Sequence, residues 1–531
     1  MKKRTSKTIL PPIIQSLIKP GSIPGNPKNV KLIQTQMSWV LLADDLVYKM
    51  KKQVNLGYVD FTSLEKRRYY CHREVELNRR LCAHGYLGVS TVNLANDKYS
   101  IDGAGEVIDY AVKMRRLPTE KMLDYLLKHE DPTPDMLNQV AEKIAEFHKK
   151  ADTGPHIDPF GSVESILVNA TENFDQARKY AGSVVSHESL ARIEAFTKSF
   201  LDSHAELFAS RINNKHIRDC HGDLHSSHIC FTDRLCIYDC IEFNDRFRYA
   251  DTASEVAFLA MDLDHYKRAD LSHSFTQRYL EIMGDSQVQE LIKFYKCYRA
   301  MVRAKVDCFM LDDPYLNAEE KQQSCAQAQL YFDLAESYTL EKPLLLVNVG
   351  LVGSGKSTLA KMLARHMGMV VISSDIVRKT LAGIPATTPG SQELDSGIYT
   401  RDFSRLTYET MFKQAAEWLK RGVPVILDAT FVMASSRQKA REVALAHGAD
   451  LVFLEHVISD EEACRRIIKR QGEPDNVSDG SIEVYYKMKE EFEPLSKTEA
   501  EDRVIIDCTG TTAENISKAR SFIFSRSRSS T

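Results

Sequence analysis

The chain has 531 residues, of which 43% are hydrophobic and 27% are charged, so it is long enough for two or three folded domains and too apolar to be disordered throughout. Its net charge of −3 gives no general attraction for nucleic acid and favours small-molecule substrates. The 11 cysteines are scattered without a C-x-x-C pair, and no run approaches the roughly 20 apolar residues of a membrane span. We therefore expect a cytoplasmic protein with reduced cysteines and no membrane partner.

The first part of the chain has the pattern of a mixed domain. Residues 1–30 are predicted to be an extension, followed by a domain at 31–338. The stretch "NVKLIQTQMSWVLLADDLVYKMKKQV" alternates apolar and polar residues around "ADD", which predicts a β-hairpin. The next stretch, "TSLEKRRYYCHREVELNRRLCAHG", has helical periodicity and ends near His84 and Gly85. Strand, strand and helix in this order are typical of the N-terminal lobe of a kinase.

A candidate catalytic loop lies further along this domain. In "CHGDLHSSHICF", Asp223 follows His221 and Gly222 and precedes a short apolar strand, and "LCIYDCIEF" is predicted to be a second strand. A carboxylate in such a loop can accept the proton of an attacking hydroxyl, so Asp223 is a candidate general base. Asp239 and Glu242, in the second strand, are alternative ligands for Mg²⁺.

The segment around this loop resembles the aminoglycoside phosphotransferase and choline kinase family, a branch of the protein-kinase-like fold, over roughly 30 to 335. The resemblance implies an α+β domain with two lobes that binds ATP and Mg²⁺. The family's metal-binding stretch I-D-F-G is similar to "IEFN", which points to Glu242, whereas "IYD" points to Asp239. The spacing to "ADTASEVAFLAMDL" favours Glu242, but the register stays open.

The same resemblance assigns a lysine and a glutamate to the nucleotide. By the register of the V-A-I-K pattern, Lys49 in "LVYKMKK" would bind nucleotide phosphates, with Lys51 on the same strand face as the alternative. Glu74 in the following helix would hold that lysine, and Glu76 is its competitor. "QTQMSWV" stands where protein kinases have a glycine-rich loop, and residues 109–118 would form the hinge between the lobes.

One position departs from the family pattern. The family has Asn five residues after the catalytic Asp, where this chain has His228. His228 is therefore a candidate metal ligand, but neutral imidazole prefers softer metals than Mg²⁺. The departure favours an alternative in which the domain is a non-catalytic, ligand-sensing pseudokinase. His225, nearby, is expected to be a structural loop residue.

Much of the remaining domain, from 135 to 210 and from 285 to 338, has a helical pattern. "YKCYRAMVRAKV" places Arg299 and Arg303 on one helix face. This face is either a phosphate-binding patch or, as the amphipathic pattern favours, a packing helix whose charges are solvated.

A second domain is predicted at 342–525. Its apolar segments alternate with helical ones, which predicts an α/β fold with a mainly parallel sheet. The predicted strands lie at 344–349, 370–372, 423–428, 451–456 and 503–507. The last residues, 526–531, have low complexity and are expected to be disordered.

A phosphate-binding loop opens this domain. "GLVGSGKS", from Gly350 to Ser357, matches G-x-x-x-x-G-K-[ST] between an apolar strand and an amphipathic helix. Lys356 would contact the β and γ phosphates and Ser357 would hold Mg²⁺. The residues predicted to bind ATP in this loop are Gly350, Gly353, Ser354, Gly355, Lys356, Ser357 and Thr358.

Three further motifs follow in the chain order expected for an open α/β sheet. "SSDIVRK" places Asp375 at the end of a strand, where it can orient or deprotonate an acceptor, and Arg378 one helical turn later. "VPVILDATF" ends a strand at Asp428, a candidate to position Mg²⁺. "CRRIIKRQGEP" places Arg466 and Arg470 four residues apart on one helix face, where both could neutralise charge on the transferring phosphoryl group.

These motifs resemble the P-loop small-molecule kinases, particularly the branch with polynucleotide kinase, gluconate kinase and zeta-toxin-like proteins. The whole chain is similar to bacterial proteins that fuse an aminoglycoside-phosphotransferase-like domain to a P-loop domain. The resemblance implies a bifunctional kinase that uses ATP and Mg²⁺ to phosphorylate a hydroxyl of a small molecule, with the P-loop domain better equipped. The alternatives are a P-loop kinase regulated by a pseudokinase and a kinase of nucleic-acid 5′-hydroxyls. The sequence leaves the acceptor and the oligomeric state open.

Overall fold

The computed structural model of the chain divides into two compact units, Met1–Phe332 and Asp333–Thr531, and each is described by itself. No helix among the described residues is both long enough and apolar enough to cross a membrane. The structure describes residues 10–313, 316–385, 397–470 and 480–526.

The first unit begins with a six-stranded antiparallel sheet. Its strands follow the spatial order β1-β2-β3-β6-β4-β5. They are β1 (Val30–Gln34), β2 (Ser38–Ala43), β3 (Leu46–Lys51), β4 (Tyr86–Ala95), β5 (Lys98–Ile101) and β6 (Glu106–Arg115). The predicted hairpin is confirmed as β2 and β3. Ala43 pairs with Leu46, so the turn consists of Asp44 and Asp45 alone, and Asp44 has the positive φ of 49° that a two-residue turn requires.

A short helix, α1 (Pro12–Leu17), precedes the sheet in the chain. A long helix, α2 (Leu64–Cys82), connects β3 to β4. The Ser63 side chain accepts the backbone N–H of Lys66 and caps the helix. Buried side chains at Cys71, Glu74 and Asn78 recur at helical spacing and mark the buried face of this helix. The predicted helix is thus confirmed, and it ends two residues before the predicted His84.

The rest of the first unit is mostly helical. Its helices are α3 (Leu123–His129), α4 (Pro134–Lys150), α5 (Val163–Ala177), α6 (His187–Ser203), α7 (Ala205–Asn213), α8 (Asp245–Arg248), α9 (Thr252–His265), α10 (Ala269–Met283), α11 (Val288–Phe309) and α12 (Ala318–Ser337). Four short strands form two antiparallel pairs, β7 with β10 and β8 with β9. They are β7 (Ile217–Asp219), β8 (Ile229–Phe231), β9 (Leu235–Ile237) and β10 (Tyr249–Asp251).

Three expectations for this unit are wrong in part. The predicted strand "LCIYDCIEF" ends at Ile237, because Asp239 adopts a positive φ of 63° that breaks the extended chain. The charges on α11 are not all solvated: Arg299 is buried and donates to Gly222 O (3.3 Å) and to Ser254 Oγ (3.1 Å). The cysteines are not all reduced either.

Two cysteines that are 154 residues apart in sequence form a disulfide. Cys82 at the end of α2 is joined to Cys236 in β9, with their Cα atoms 4.7 Å apart. None of the other nine cysteines forms a disulfide. Sequence spacing alone gave no signal for this pair, because the fold brings the two positions together.

The second unit contains a five-stranded parallel sheet with helices on both faces. The strand order is β12-β13-β11-β14-β15. The strands are β11 (Leu344–Val349), β12 (Val370–Ser373), β13 (Val425–Asp428), β14 (Asp450–Val457) and β15 (Arg503–Asp507). The helices are α13 (Lys356–Met367), α14 (Ser374–Leu381), α15 (Arg401–Lys420), α16 (Ala434–Ala446), α17 (Asp460–Arg470), α18 (Ile482–Glu490), α19 (Lys497–Ala500) and α20 (Thr512–Arg526). All five predicted strands are confirmed.

The central strand β11 explains why the sequence has a continuous apolar run there. Every one of its residues is buried. Leu344 and Leu346 pack into the core on one side of the sheet, and Leu345 and Val347 pack into the core on the other. Because the strands are parallel, their carboxyl ends meet at one edge, and the loops that carry the predicted motifs lie there.

The predicted domain limits, 31–338 and 342–525, stay predictions. The boundary between the two compact units falls within the sequence of α12, between Phe332 and Asp333. Of the predicted disordered tail, Arg526 is the last residue of α20, and 527–531 lie outside the described residues.

Candidate active sites

The first candidate site lines a cavity of about 720 Å³ in the first unit. Lys49 from β3, Asp223 from the loop after β7 and Asp239 from the segment after β9 all line it. These residues are far apart in sequence, and the fold places them around one space.

Two lysines of β3 and one glutamate of α2 form a buried ionic cluster. The Nζ atom of Lys49 lies 2.9 Å from one carboxylate oxygen of Glu74, and that of Lys51 lies 2.7 Å from the other. Lys49 also pairs with Asp239 (2.6 Å), and Lys51 pairs with Glu242. One carboxylate therefore holds both lysines, as the two-residue period of a strand allows.

The two lysines differ in their access to the cavity. Lys49 lines it, whereas Lys51 is not among the lining residues and its side chain is 1% exposed. Burial alone would lower the pKa of Lys51, but Glu242 and Glu74 raise it above its usual range. Glu76, the alternative to Glu74, faces solvent and pairs with Arg73 (2.9 Å). The geometry thus favours Lys49 and Glu74 over both alternatives.

Helix α9 holds the loop that carries Asp223. The Glu255 carboxylate accepts the backbone N–H groups of His221 (2.8 Å) and Gly222 (2.7 Å). His148 on α4 contacts the same carboxylate at 2.8 Å. Gly222 has φ of 86°, and a Cβ atom there would lie 2.9 Å from the backbone oxygen of Phe247, so the turn requires glycine.

The His221 side chain joins this loop to the segment that contains Asp239. Its Nε2 donates to the carbonyl oxygen of Tyr238 (2.9 Å), and its Nδ1 accepts the backbone N–H of Asp223 (3.3 Å). The ring is therefore neutral and structural, and it fixes the separation between Asp223 and Asp239.

Asp223 is surrounded by cationic and imidazole groups. Its Oδ2 lies 3.5 Å from His225 Nε2 and 3.5 Å from His228 Nδ1. Burial alone would raise the pKa of Asp223, but His225, His228 and Arg303 lower it well below its usual range. Burial lowers the pKa of His228 to about 4, and the neighbouring His225 adds to the effect. Asp223 is therefore ionised at neutral pH.

Asp239 and Glu242, which the sequence left as alternatives, occupy different places. Asp239 Oδ2 lies 3.5 Å from His228 Nε2, and its side chain is 38% exposed. The Glu242 carboxylate lies behind it against Lys51 and is 7% exposed. The geometry places Asp239 and not Glu242 beside His228, in contrast to the register that the downstream spacing favoured.

The second candidate site lies at the carboxyl edge of the parallel sheet. The loop from Gly350 to Ser357 follows β11 and leads into α13. Gly353 and Gly355 have φ of 80° and 87°. A Cβ atom at Gly353 would lie 2.8 Å from the backbone oxygen of Ala463, so this turn also requires glycine.

Lys356 lies within the curve of this loop. Its Nζ donates to the carbonyl oxygen of Leu351 (2.6 Å) and to Ser354 Oγ (3.4 Å). Burial lowers the pKa of Lys356 to about 8, although the nearby Asp428 and Asp375 oppose the change. Ser357 and Thr358 lie in the first turn of α13 and, together with Lys356, line a cavity of about 1040 Å³.

A buried polar chain orients Asp428 at the end of β13. Asn348 Nδ2 donates to Asp428 Oδ1 (3.0 Å), and Asn348 Oδ1 lies 3.0 Å from His456 Nε2. Because the amide oxygen only accepts, the His456 ring carries its proton on Nε2. Neither Asn348 nor His456 was predicted as a functional residue, although a polar Asn within an apolar strand was a visible signal.

The structure brings together only some of the residues predicted to face the acceptor or to neutralise phosphoryl charge. Asp375, Arg378 and Arg470 line the cavity with Lys356. The Arg378 side chain donates to Ile398 O (2.8 Å). Arg466 is not among the lining residues, since its guanidinium donates to Glu462 (2.7 Å) and to the carbonyl oxygen of Cys508 (2.8 Å). The stretch "QGEPDNVSD" that follows Arg470 lies outside the described residues.

Comparison with known proteins agrees with this division of the chain. A model described as the phosphotransferase enzyme family matches residues 64–291, and one described as an AAA domain matches 345–495. The uncharacterized protein Rv2004c of Mycobacterium tuberculosis (strain H37Rv) is 34% identical over 445 residues, which cover 83% of this chain and 86% of that protein. The uncharacterized protein Mb2027c of Mycobacterium bovis matches to the same extent.

The chain belongs to the same family as these mycobacterial proteins. Its first unit is a kinase-like phosphotransferase domain and its second is a P-loop kinase domain, which we call the phosphotransferase domain and the P-loop domain. The expected fold, an α+β kinase-like domain followed by an α/β P-loop domain, is confirmed. Phosphoryl transfer is thus the class of chemistry to which this family's domains belong.

Solved structures resemble each domain separately. Aminoglycoside 2′-phosphotransferase-IIIa in its GDP complex is 12% identical, with a TM-score of 0.36, and covers 58% of this chain and 94% of its own. A gluconokinase from Sinorhizobium meliloti 1021 is 23% identical, with a TM-score of 0.25, and covers 33% of this chain and 89% of its own.

Proposed function

We propose that the P-loop domain transfers the γ-phosphate of ATP to a hydroxyl group of a small molecule. The observation that carries the proposal is the meeting of Lys356, Ser357, Asp428 and Asp375 around one cavity at the carboxyl edge of the sheet. In open α/β sheets this edge is where ligands bind.

In the proposed reaction, the hydroxyl oxygen of the acceptor forms a bond to the γ-phosphorus. The bond from that phosphorus to the β–γ bridging oxygen breaks, and ADP leaves. Asp375 accepts the proton of the hydroxyl. Lys356 and Arg470 neutralise the charge that the phosphoryl oxygens carry during the transfer.

The donor groups of the P-loop domain fit Mg²⁺. The Ser357 hydroxyl and the Asp428 carboxylate are both oxygen donors, which Mg²⁺ prefers, and they would hold the ion or its water ligands. When bound, Mg²⁺ supplies charge neutralisation at the phosphates. The phosphotransferase domain is different, because the nitrogen of His228 stands beside Asp239 and does not match the oxygen preference of Mg²⁺.

The lining of the P-loop cavity favours an acceptor with a negatively charged group. Arg378 is 7% exposed, and its Nε has no hydrogen-bond partner among the described residues. A buried guanidinium is stabilised by a carboxylate or phosphate partner. Further basic residues that line the cavity are Arg401, Arg405, Lys439 and Lys487.

We infer a second catalytic function for the phosphotransferase domain. The specific observation is that Lys49 already pairs with Glu74 and Asp239 while Asp223 lines the same cavity. A lysine held in this way is placed for nucleotide phosphates, and Asp223 is placed to accept a hydroxyl proton. This favours an active domain over a pseudokinase.

Both functions are tested on the full chain by supplying ATP with a panel of acceptors. The panel contains sugar acids, neutral sugars, aminoglycosides, nucleosides and oligonucleotides with 5′-hydroxyl ends, and ³¹P NMR identifies the products. Wild type is compared with Lys356→Ala and Asp223→Ala. We expect each substitution to abolish a different product.

The other outcomes separate the alternatives. If Lys356→Ala removes every product and Asp223→Ala removes none, the phosphotransferase domain is a sensor and the second function is wrong. If Lys356→Ala leaves every product unchanged, the function proposed for the P-loop domain is wrong. Phosphorylation of oligonucleotide ends alone would replace the small-molecule acceptor with a nucleic acid.

For the charged acceptor, Arg378→Gln is expected to raise KM for the acceptor about 10-fold or more and to leave KM for ATP unchanged, because a hydrogen bond to a charged group is lost. Equal KM values for the acceptor in wild type and variant would contradict the role of Arg378.

A further inference from the structure

Three side chains of the phosphotransferase domain converge on a small volume beside the cavity. The metal-ligating atoms of Asp223, His225 and His228 all lie within 4.8 Å of one another. On the other side of the His228 ring, Nε2 faces Asp239 Oδ2 at 3.5 Å. Each of these side chains comes from the segment between β7 and α8, which the hydrogen bonds of His221 and Glu255 hold in place.

The hydrogen bonds of His228 decide which nitrogen is available. Its Nδ1 lies 3.0 Å from the carbonyl oxygen of Asp223, and a carbonyl oxygen only accepts, so Nδ1 carries the proton. In the neutral ring, Nε2 then carries the lone pair and lies 3.5 Å from Oδ2 of Asp239. A histidine that binds a metal usually donates its other ring N–H to a backbone carbonyl, a carboxylate or water, as His228 Nδ1 does here, and this leaves Nε2 for the ion.

The spacing of the two donor atoms agrees with a shared ion. Ligands about 2.1 Å from one metal lie roughly 3.0 to 3.4 Å apart at octahedral or tetrahedral angles, close to the 3.5 Å between His228 Nε2 and Asp239 Oδ2. Asp239 uses its other oxygen, Oδ1, for Lys49 (2.6 Å), so Oδ2 is the oxygen directed at the ring.

A mixed nitrogen and oxygen donor pair has a different metal preference from oxygen donors alone. Imidazole nitrogen binds divalent first-row transition metals, in the affinity order Mn²⁺ < Fe²⁺ < Co²⁺, better than it binds Mg²⁺. We propose that His228 and Asp239 bind a divalent transition metal such as Mn²⁺, and that the nucleotide of the phosphotransferase domain is bound with that metal, while the P-loop domain uses Mg²⁺. The proposal rests on the nucleotide site that we propose for this domain.

The test reads the metal directly and does not need turnover. Full-length protein is loaded with Mn²⁺ and an ATP analogue whose β–γ bridge is a methylene group, and electron spin-echo envelope modulation detects ¹⁴N coupled to the metal. We expect nitrogen coupling in the wild type and in Ser357→Ala, which removes the hydroxyl ligand of the P-loop domain. We expect it to be lost in His228→Asn, which keeps a polar side chain but removes the imidazole nitrogen.

His225→Asn is the matched control, because the His225 and His228 rings are 4.0 Å apart and only His228 is proposed as the ligand. Nitrogen coupling should persist in this variant. Mg²⁺ should displace nitrogen-coupled Mn²⁺ only when it is present in excess, because imidazole nitrogen prefers first-row transition metals to Mg²⁺. Thermal melting of each variant verifies that it is folded, and His228→Gln replaces His228→Asn if the latter is not.

Absence of nitrogen coupling in the folded wild type, or its persistence in His228→Asn, would overturn the proposal. These results are distinguishable from failure of the proposed function. Nitrogen coupling without any phosphorylated product would support the metal site and contradict catalysis by the domain. A product that depends on Asp223 and forms with Mg²⁺, without nitrogen coupling, would support catalysis and contradict the metal site.

Discussion

Lys49 and Lys356, the two lysines proposed to bind nucleotide phosphates, lie in opposite electrostatic environments. Burial alone would lower the pKa of Lys49. The neighbouring carboxylates of Asp239, Glu74 and Glu242 outweigh burial and raise this pKa well above its usual value. Lys356 donates to one backbone carbonyl and one hydroxyl, and burial lowers its pKa to about 8. The first lysine is charged before nucleotide arrives, whereas the second is partly neutral at mildly alkaline pH.

We therefore expect nucleotide binding to the P-loop domain to take up a proton. Bound phosphate raises the pKa of Lys356, so the uptake should grow as pH rises from 7 to 9, through the free value of about 8. Calorimetry of the ATP analogue in buffers of different ionisation enthalpy measures it. Lys356→Arg, which is charged throughout, is the control and should show no such uptake. Uptake that is the same in both proteins would assign the proton to another group.

At the scale of elements, α9 determines the shape of the loop that carries Asp223. Burial alone would raise the pKa of Glu255 on this helix, but its hydrogen bonds to His148 and to the His221 N–H lower it to about 2. A carboxylate with a lower pKa in the folded than in the unfolded chain stabilises the fold above the unfolded value, and this stabilisation is lost as pH falls towards the folded value.

Glu255→Gln is expected to lower the free energy of unfolding by about 3 kcal/mol at pH 7. The substitution breaks the buried pair that the Glu255 carboxylate forms with His148. The difference from wild type should shrink as pH falls below about 4.5, where Glu255 of the unfolded wild type is protonated. Urea unfolding at pH 7 and pH 4 measures both values. Glu76→Gln, in an exposed pair with Arg73, is the control and should cost about 1 kcal/mol or less. A pH-independent difference for Glu255→Gln would show that its charge is not the cause.

Helix α17 carries two arginines that the sequence treats alike and the structure separates. Arg470 lines the cavity and its Nη2 has no hydrogen-bond partner among the described residues, whereas Arg466 is bound to Glu462 and to the Cys508 carbonyl. We expect Arg470→Ala to lower kcat of the P-loop reaction by about 10³-fold, by analogy with an arginine that neutralises phosphoryl charge. Arg466→Ala should have a much smaller effect on kcat. Steady-state kinetics of the two variants measure kcat. An equal loss of kcat in both variants would mean that Arg466 also reaches the phosphoryl group.

At the scale of the whole molecule, two domains with separate cores carry one candidate nucleotide site each. Only two tryptophans are present, Trp39 in the first unit and Trp418 in the second. Substituting either with phenylalanine leaves a protein whose tryptophan fluorescence follows the unfolding of a single domain. A ligand that binds a folded domain stabilises it by about 2.7 kcal/mol at 100 times its Kd.

We expect the ATP analogue to raise the melting temperature of both domains. Lys49→Ala should remove the shift that Trp39 reports, and Lys356→Ala should remove the shift that Trp418 reports. Thermal melting of the single-tryptophan proteins, with and without analogue, makes the measurement. A Trp39 signal that the analogue never shifts would mean that the phosphotransferase domain does not bind ATP.

Residues whose role depends on local spacing could be predicted from the sequence. The loop from Gly350 to Ser357 needs particular residues at fixed positions, because glycine conformations and a helix start are local properties. The hairpin around Asp44, the helix that carries Glu74 and the parallel strands were predictable for the same reason: hydrophobic periodicity follows from which face is buried.

Contacts between distant segments were decided only by the tertiary structure. The choice between Asp239 and Glu242 depended on which side chain faces His228, and the packing of Arg299 on Gly222 and the pairing of Cys82 with Cys236 depended on the approach of separate elements. By itself, the sequence determined a phosphotransferase-family domain and a P-loop domain and their order, because those motifs are local. The tertiary structure decided which charged and imidazole groups meet around each site, because such meetings depend on how helices and strands far apart in the chain pack together.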